Sequence, residues 1–270
     1  MGTAIFQVNA FTADGCNGNP AAVMPLDEFP EDSVLQSVAR ENAMPVTAFI
    51  VRNGAAWNLR WFTATNELPL CGHGTIASAW VVSNHLDPGA ASLVFETNAG
   101  PLPVRRDGDR YAMDFPARYP KPVSAVDAIA SAIGATPIEL HHDGFNYLAV
   151  LDCAATVRAL EPDIAAINGL ARTRGLIVTA RGDDGYDCVS RYFTPQQGVA
   201  EDAVTGSAHC ALTPFWCDRL AKTEIRAFQA SPRGGELIGR INGDRVELEG
   251  ACRDASGARD AVDLDASAAR

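Results

Sequence analysis

The sequence predicts an α+β protein of two pseudo-symmetric lobes, each a mostly antiparallel sheet or barrel wrapped round a central helix. Three observations carry this. Arg60-Trp61-Phe62-Thr63 running into Leu70-Cys71-Gly72-His73-Gly74-Thr75 returns 131 residues later (60 to 191) as Arg191-Tyr192-Phe193-Thr194 running into Asp202-Ala203-Val204-Thr205-Gly206-Ser207. After each strand comes an Ala-containing run that is apolar on most sides, 72–82 and 206–215, and a helix apolar all round belongs inside a sheet. Each copy then closes on a glycine turn between alternating apolar runs, at Asp107-Gly108-Asp109 and Asn242-Gly243-Asp244, which is a hairpin signal. One ancestral half used twice explains all three, with one cleft expected between the halves, and a many-unit solenoid does not.

Taken in order, residues 4–11 read as an opening strand, and Asp14-Gly15-Cys16-Asn17-Gly18-Asn19-Pro20 as a cluster of turn formers leading into 21–24. That cluster is either a tight turn or a backbone loop whose glycines let the chain approach a ligand closely. Residues 32–41 carry Val34, Leu35 and Val38 at helical spacing, with Glu31 and Asp32 at the start where the helix dipole favours them. Strands follow at 46–51 and 58–63, then the connection 66–69, the first buried helix, and a short antiparallel run at 92–96, 102–106 and 110–115. The proline-rich stretch 116–122 lies between the copies, so the lobes are expected at 1–116 and 117–270, with the last strand able to cross back. The second half repeats the order: helix 125–133, strand 147–151, helix 162–170, strand 176–180, then the Arg191 strand. Its buried helix is expected to break near Pro214, a hairpin spans 236–248, and the aperiodic Ala/Asp/Arg tail beyond Asp254 is expected to fray.

Composition narrows the function. The 270 residues are 47% hydrophobic, enough for a sizeable core, and the net charge of −11 argues against nucleic acid or an anionic membrane as the main partner. No apolar run approaches the ~18 residues of a membrane span, and the N-terminus enters strand-like sequence without a signal-peptide pattern, so a cytoplasmic protein with a small-molecule ligand is expected. Seven dispersed cysteines without a C-x-x-C pair indicate neither a disulfide framework nor a zinc site. The five histidines show no ligand spacing, and there is no G-x-G-x-x-G or G-K-[ST], so neither a metal nor a nucleotide cofactor is expected.

The chemistry then concentrates at the two helix starts. A glycine followed by a hydroxyl residue, Gly74-Thr75 and Gly206-Ser207, leaves backbone N–H groups and a positive dipole end for a carboxylate; the alternative is that Thr75 and Ser207 cap their own helices. His73, between Gly72 and Gly74, can give or take a proton near neutral pH, and Asp202 sits ahead of the second helix. An imidazole and a carboxylate, one from each half, suit proton movement on a small molecule. Cys71 at a helix N-terminus is a candidate thiolate base, but no cysteine stands at the mirrored place before Gly206, so a pair of opposed thiols is not supported.

Together these residues resemble the phenazine-biosynthesis PhzF-like family of isomerases, which shares the two-lobed fold of diaminopimelate epimerase. The motifs run nearly the whole length: Phe11-Thr12 with Gly18 to Val23, Leu70 to Thr75, Glu201 to His209, and Ser231-Pro232-Arg233-Gly234-Gly235-Glu236. The resemblance implies an inter-lobe active site without metal or organic cofactor, a homodimer, and a role in secondary metabolism. By motif it implies His73 and Asp202 as catalytic, Ser207 as a further active-site position and the Gly206-Ser207 helix start as the carboxylate site; Gly72, Gly74, Thr75, Asn19 and Val46 complete the candidate substrate contacts. At one position the chain departs from the pattern: the family's catalytic glutamate falls at Val46 in Pro45-Val46-Thr47-Ala48-Phe49, and Glu41, five residues off, is a poor substitute. The expectation is an isomerase that shifts a proton and a double bond on a small acid other than the family's best-known substrate. The rivals are an epimerase or racemase using Cys71, and a binding protein that retains the fold.

Overall fold

The computed structural model describes residues 3–262, which fall into two units. The first gathers the chain up to Thr12, Asn19–Asp114 and the return from Glu249; the second holds Ala13–Gly18 and Phe115–Leu248. The main division therefore falls after Asp114, two residues before the expected 116, with one short segment exchanged in each direction.

The first unit carries β1 (Thr3–Thr12), β2 (Asn19–Leu26), α1 (Asp32–Asn42), β3 (Thr47–Asn53), β4 (Ala56–Phe62), β5 (Glu67–Leu68), α2 (Gly72–Val81), β6 (Ser92–Thr97), β7 (Gly100–Asp107) and β8 (Arg110–Pro116). Its neighbours run β1-β2 antiparallel, β2-β3 parallel, β3-β4 antiparallel, β4-β6 parallel, then β6-β7 and β7-β8 antiparallel. Amphipathic α1 lies against this sheet through Val34, Leu35, Val38 and Ala39, which pack with Ala22, Met24, Phe49 and Phe62. The all-round apolar α2, predicted to be central, is buried along nearly its whole length and packs on β1, β2 and β3.

The second unit carries β9 (Lys121–Pro122), α3 (Val126–Ile133), β10 (Glu139–His142), β11 (Asn146–Val150), α4 (Ala154–Arg158), α5 (Ile164–Asn168), β12 (Gly175–Arg181), β13 (Cys188–Thr194), β14 (Val199–Asp202), α6 (Gly206–Leu220), β15 (Glu224–Gln229) and β16 (Gly235–Asn242). Here β10-β11 is antiparallel, β11-β12 parallel, β12-β13 antiparallel, β13-β15 parallel and β15-β16 antiparallel. This is the order and sense of β1-β2-β3-β4-β6-β7, and in both units a short strand, β5 or β14, pairs with the aromatic strand just ahead of the buried helix. The inner strands β2, β3, β11, β12 and β13 are buried on both faces, hence their near-continuous apolar runs. Leu148, Val150, Ile177 and Tyr192 face α6, while the alternate Ala149, Leu176, Val178 and Phe193 face the layer of α3, α4 and α5.

Several expectations are corrected. The helix expected at 162–170 is only Ile164–Asn168, because the Asp163 carboxylate accepts the Ala166 N–H at its start and Gly169 ends it. The break expected near Pro214 does not occur: α6 runs 15 residues through it. Proline removes one N–H, which leaves the Cys210 carbonyl one turn back without its helical donor, and the Arg118 N–H fills that place at 2.9 Å.

The chain beyond Asp254 is not frayed up to the limit of the described residues. The final strand, β17 (Arg245–Val262), pairs antiparallel with β1 from Thr12↔Ala251 to Thr3↔Val262 and lies beside β8, closing with β1, β2, β3, β4, β6, β7 and β8 an eight-strand barrel. Main-chain hydrogen bonds to an otherwise open edge of β1 need no apolar periodicity, so the composition of the tail concealed the strand. Residues 263–270 lie outside the described chain. Among the described residues no helix is long and apolar enough to cross a membrane.

Candidate functional site

In the first unit the site is built on the start of α2. Cys71, in extended conformation, is the residue before the helix, and its side chain does not cap it. Its buried Sγ lies 3.5 Å from Nδ1 of half-buried His73. Gly74 must be a glycine: a Cβ there would stand 2.8 Å from Trp61 Cδ1 and 3.3 Å from Cys71 Sγ. The aromatic strand and the helix start are therefore fitted to each other, which is the physical content of the repeated sequence pattern. Thr75 is fully buried, and both its hydroxyl (2.8 Å) and its N–H (3.0 Å) donate to the Cys71 carbonyl. Asn19 is fully buried where β2 begins, opposite Ala10. Val46 is fully buried just ahead of β3, and its carbonyl accepts the Ala22 N–H at 3.0 Å. Glu41 is exposed on α1.

In the second unit Asp202 ends β14 opposite Tyr192 and is partly exposed. The Thr205 hydroxyl donates to its Oδ2 at 2.6 Å. Fully buried Gln229 closes the turn: its Oε1 accepts the Thr205 N–H at 2.9 Å, and its Nε2 donates to the Asp202 carbonyl at 2.8 Å and to Thr205 Oγ1 at 3.2 Å. Ser231 holds the intervening Ala203 carbonyl at 2.7 Å. Ser207 is exposed on the first turn of α6, and no side chain caps that turn from Thr205. His209 is buried with Nδ1 donating to the Thr205 carbonyl at 2.7 Å; burial pushes its pKa down to about 4, so it is neutral at pH 7 and carries its proton on Nδ1. The Cys210 thiol is pushed up to about 12 by burial.

The two units supply their own alignment. Arg60 grips Glu67 with Nε and Nη2 at 2.8 and 2.7 Å, and Arg191 grips Glu201 with the same two nitrogens at 2.7 and 2.8 Å. Five residues after each glutamate a glycine opens the helix, Gly72 or Gly206, and two turns' worth of polar contacts agree: Thr75 and His209 each send a side-chain hydrogen bond back to the residue before that glycine. Position for position, then, the counterpart of His73 is not Asp202, and Gly74-Thr75 is not the counterpart of Gly206-Ser207. In position His73 corresponds to Ser207, Cys71 to Thr205, and Asp202 to Leu68. The register changes because the second copy inserts the single turn Pro195–Gln197 between its aromatic strand and β14. Thr205 was visible only as the mirrored place that lacks a cysteine, and Gln229, on a distant strand, carries no local signal.

A family model described as phenazine biosynthesis-like protein matches residues 8–254. An uncharacterized isomerase of Pseudomonas aeruginosa is 46% identical over 250 residues, covering 93% of this chain and 95% of that one. A crystal structure of a PhzF-family phenazine biosynthesis protein from Enterococcus faecalis is 37% identical with a TM-score of 0.93, covering 97% of this chain and 100% of that one. The fold extends to a hydroxyproline epimerase of Agrobacterium vitis, at a TM-score of 0.57 and 11% identity, over 96% of this chain and 92% of that one.

Proposed function

The chain is an isomerase that belongs to the phenazine biosynthesis-like family, and on that premise we propose that it moves a proton between two carbons of a small unsaturated carboxylic acid, shifting a double bond, without metal or organic cofactor. His73 and Asp202 are the groups that take and return the proton. The observation that supports this reading is common to both units: a buried helix opens without a side-chain cap, and a proton-carrying group stands at that opening. Uncapped amides and the positive end of the dipole attract a carboxylate, and we assign that role to Gly206 and Ser207. Thr75 spends both donors on the Cys71 carbonyl, and Gly74 is packed under Trp61, so these two shape the opening and do not touch the ligand. Val46 supplies an apolar wall where the family's glutamate stands, which suits a substrate bearing an alkyl group or ring carbon there and deprives the protein of the family's usual isomerisation.

The test is incubation with a panel of small β,γ-unsaturated carboxylic acids in D₂O, followed by NMR. Deuterium should enter the migrating position, and His73→Asn and Asp202→Asn should each slow uptake by a factor of ~10² or more while the fold is retained. Undiminished uptake in both variants would remove these residues from the mechanism. The 3.5 Å approach of Cys71 Sγ to His73 favours a second reading, an amino-acid epimerase with Cys71 as the carbon base. Deuterium at Cα of proline or hydroxyproline, lost in Cys71→Ala, would select it. A cytoplasmic homodimer serving secondary metabolism completes the proposal, and light scattering tests the dimer.

A further inference from the structure

Resting on that reading of His73 and Asp202, we propose that the residue immediately before each helix-opening glycine, Thr205 in one unit and Cys71 in the other, is a positioning residue that holds the neighbouring proton-transfer group in one orientation. The argument at Thr205 is one of hydrogen-bond direction. A backbone N–H can only donate, so the Gln229 atom facing the Thr205 N–H is the amide oxygen, and the other end of that amide is the NH₂. The NH₂ can only donate as well. Its targets are the Asp202 carbonyl and Thr205 Oγ1, so the Thr205 hydroxyl accepts there. A hydroxyl has one proton, and with the amide occupying its acceptor side that proton goes to Asp202 Oδ2, 2.6 Å away. The direction of every bond in the turn follows from a single buried amide, and the Asp202 carboxylate is fixed as its end point. Gln229 thus acts on Asp202 through Thr205 and through the main chain at once.

Cys71 occupies the same place in the other unit and meets the His73 ring instead, Sγ lying 3.5 Å from Nδ1 and 4.0 Å from Nε2. Thr205 and Cys71 are 7% and 6% exposed, so both residues are buried to the same extent. Their backbones are equivalent too, since each carbonyl accepts a side-chain hydrogen bond from the residue four positions on, Thr75 or His209. The same main-chain site has been given two different polar side chains, each matched to the acid–base group its own unit carries: a hydroxyl donor for a carboxylate and a thiol for an imidazole.

The experiment reads the resting protein and needs no substrate. With aspartate ¹³C-labelled at the carboxyl, Thr205→Val should move the Asp202 carboxyl resonance and Thr205→Ser should restore it, at unchanged thermal midpoint. With ¹⁵N-labelled histidine, Cys71→Ala should move the His73 Nδ1 resonance and Cys71→Ser should return it toward the wild-type position. An unmoved Asp202 signal in Thr205→Val, or an unmoved His73 signal in Cys71→Ala, overturns the proposal for that residue even if His73 and Asp202 prove essential. Conversely, dispensability of His73 and Asp202 in the deuterium assay would leave these spectra as they are and count against the function alone. Where uptake is measurable, Thr205→Val should lower turnover on the order of 10- to 100-fold, the scale of a reacting group displaced by about 1 Å, with little change in KM. In an Asp202→Asn background the same substitution should cost nothing further, whereas a purely structural effect would persist there.

Discussion

Neutralising the glutamate of each arginine fork should destabilise the two units unequally. In the second unit Arg191 and Glu201 are 10% and 15% exposed, and among the described residues Glu201 is the one anion paired with that guanidinium, whose third arm ends on the Leu160 carbonyl. Glu201→Gln keeps the shape but leaves a buried cation without a counter-charge, which costs about 3 kcal/mol. In the first unit Arg60 and Glu67 are 18% and 30% exposed, and Asp32 lies 2.8 Å from Nη1 as a second anion. Glu67→Gln removes one of two partners from a wetter site and should cost about 1 kcal/mol. For units of this size 1 kcal/mol corresponds to a shift of roughly 2–4 °C, so the expected losses are roughly 6–12 °C and 2–4 °C. Scanning calorimetry of both variants beside the wild type makes the comparison. Equal losses, or a larger one for Glu67→Gln, would refute the idea that burial and the number of counter-charges set the difference between two otherwise matched forks.

His73→Asn and Asp202→Asn should each lower deuterium uptake by a factor of ~10² or more with an unchanged unfolding midpoint, as expected for a lost general acid or base; wild-type rates in either would exclude that residue. His209 has its pKa lowered to about 4 by burial, so between its ordinary range and pH 4 the unfolded chain binds a proton that the folded one refuses. Stability should therefore be undiminished above about pH 6.5 and fall as the pH drops toward 4, by about 3 kcal/mol from this group alone. His209→Gln should flatten that acid slope in urea titrations at pH 7 and 4.5, and an identical slope would show that another group carries it. Val46→Glu should gain activity on the family's dihydro-hydroxyanthranilate substrate in D₂O, where the unaltered protein should have little. Efficient conversion by the unaltered protein would mean that His73, Asp202 or a cysteine carries the proton in place of the missing glutamate.

What the sequence makes legible is what a short stretch can encode by itself. The opposed faces of the two-sided strands, the all-round apolar helices and the glycine hairpins at Gly108 and Gly243, both at φ +61, each follow from neighbours a few residues apart. Four-residue β10 and β14 and five-residue α4 are too short to show a period, and they exist because longer elements beside them leave edges and faces to fill. Beyond Asp254 β17 lacks an apolar period, and it is its main-chain pairing with β1 that reveals the strand. At the site, His73 and Asp202 stood out as candidates because their chemistry is written in their own side chains. The correspondence between the copies was not, since the three-residue turn at Pro195–Gln197 shifts the register and only the two arginine forks reveal the shift. Gln229 lies 24 residues from the threonine it serves, and nothing in a buried glutamine announces its partner.

The return of β17 to the first unit bears on the order in which the molecule is made. β1 leaves the ribosome before every other element of either unit, yet its second edge stays unfilled until residues beyond Glu249 have been synthesised. The second unit lies almost wholly between those two events, with only the Ala13–Gly18 loop drawn from earlier chain, where Asn17 and Gly18 donate to the Arg233 and Gly234 carbonyls. The half begun first is thus the half finished last, and during translation β1 and β8 wait as open edges for a partner that does not yet exist. A nascent chain arrested before Glu249 should hold a protease-resistant second unit beside a first unit that protease still cuts, and release of the last strand should protect both.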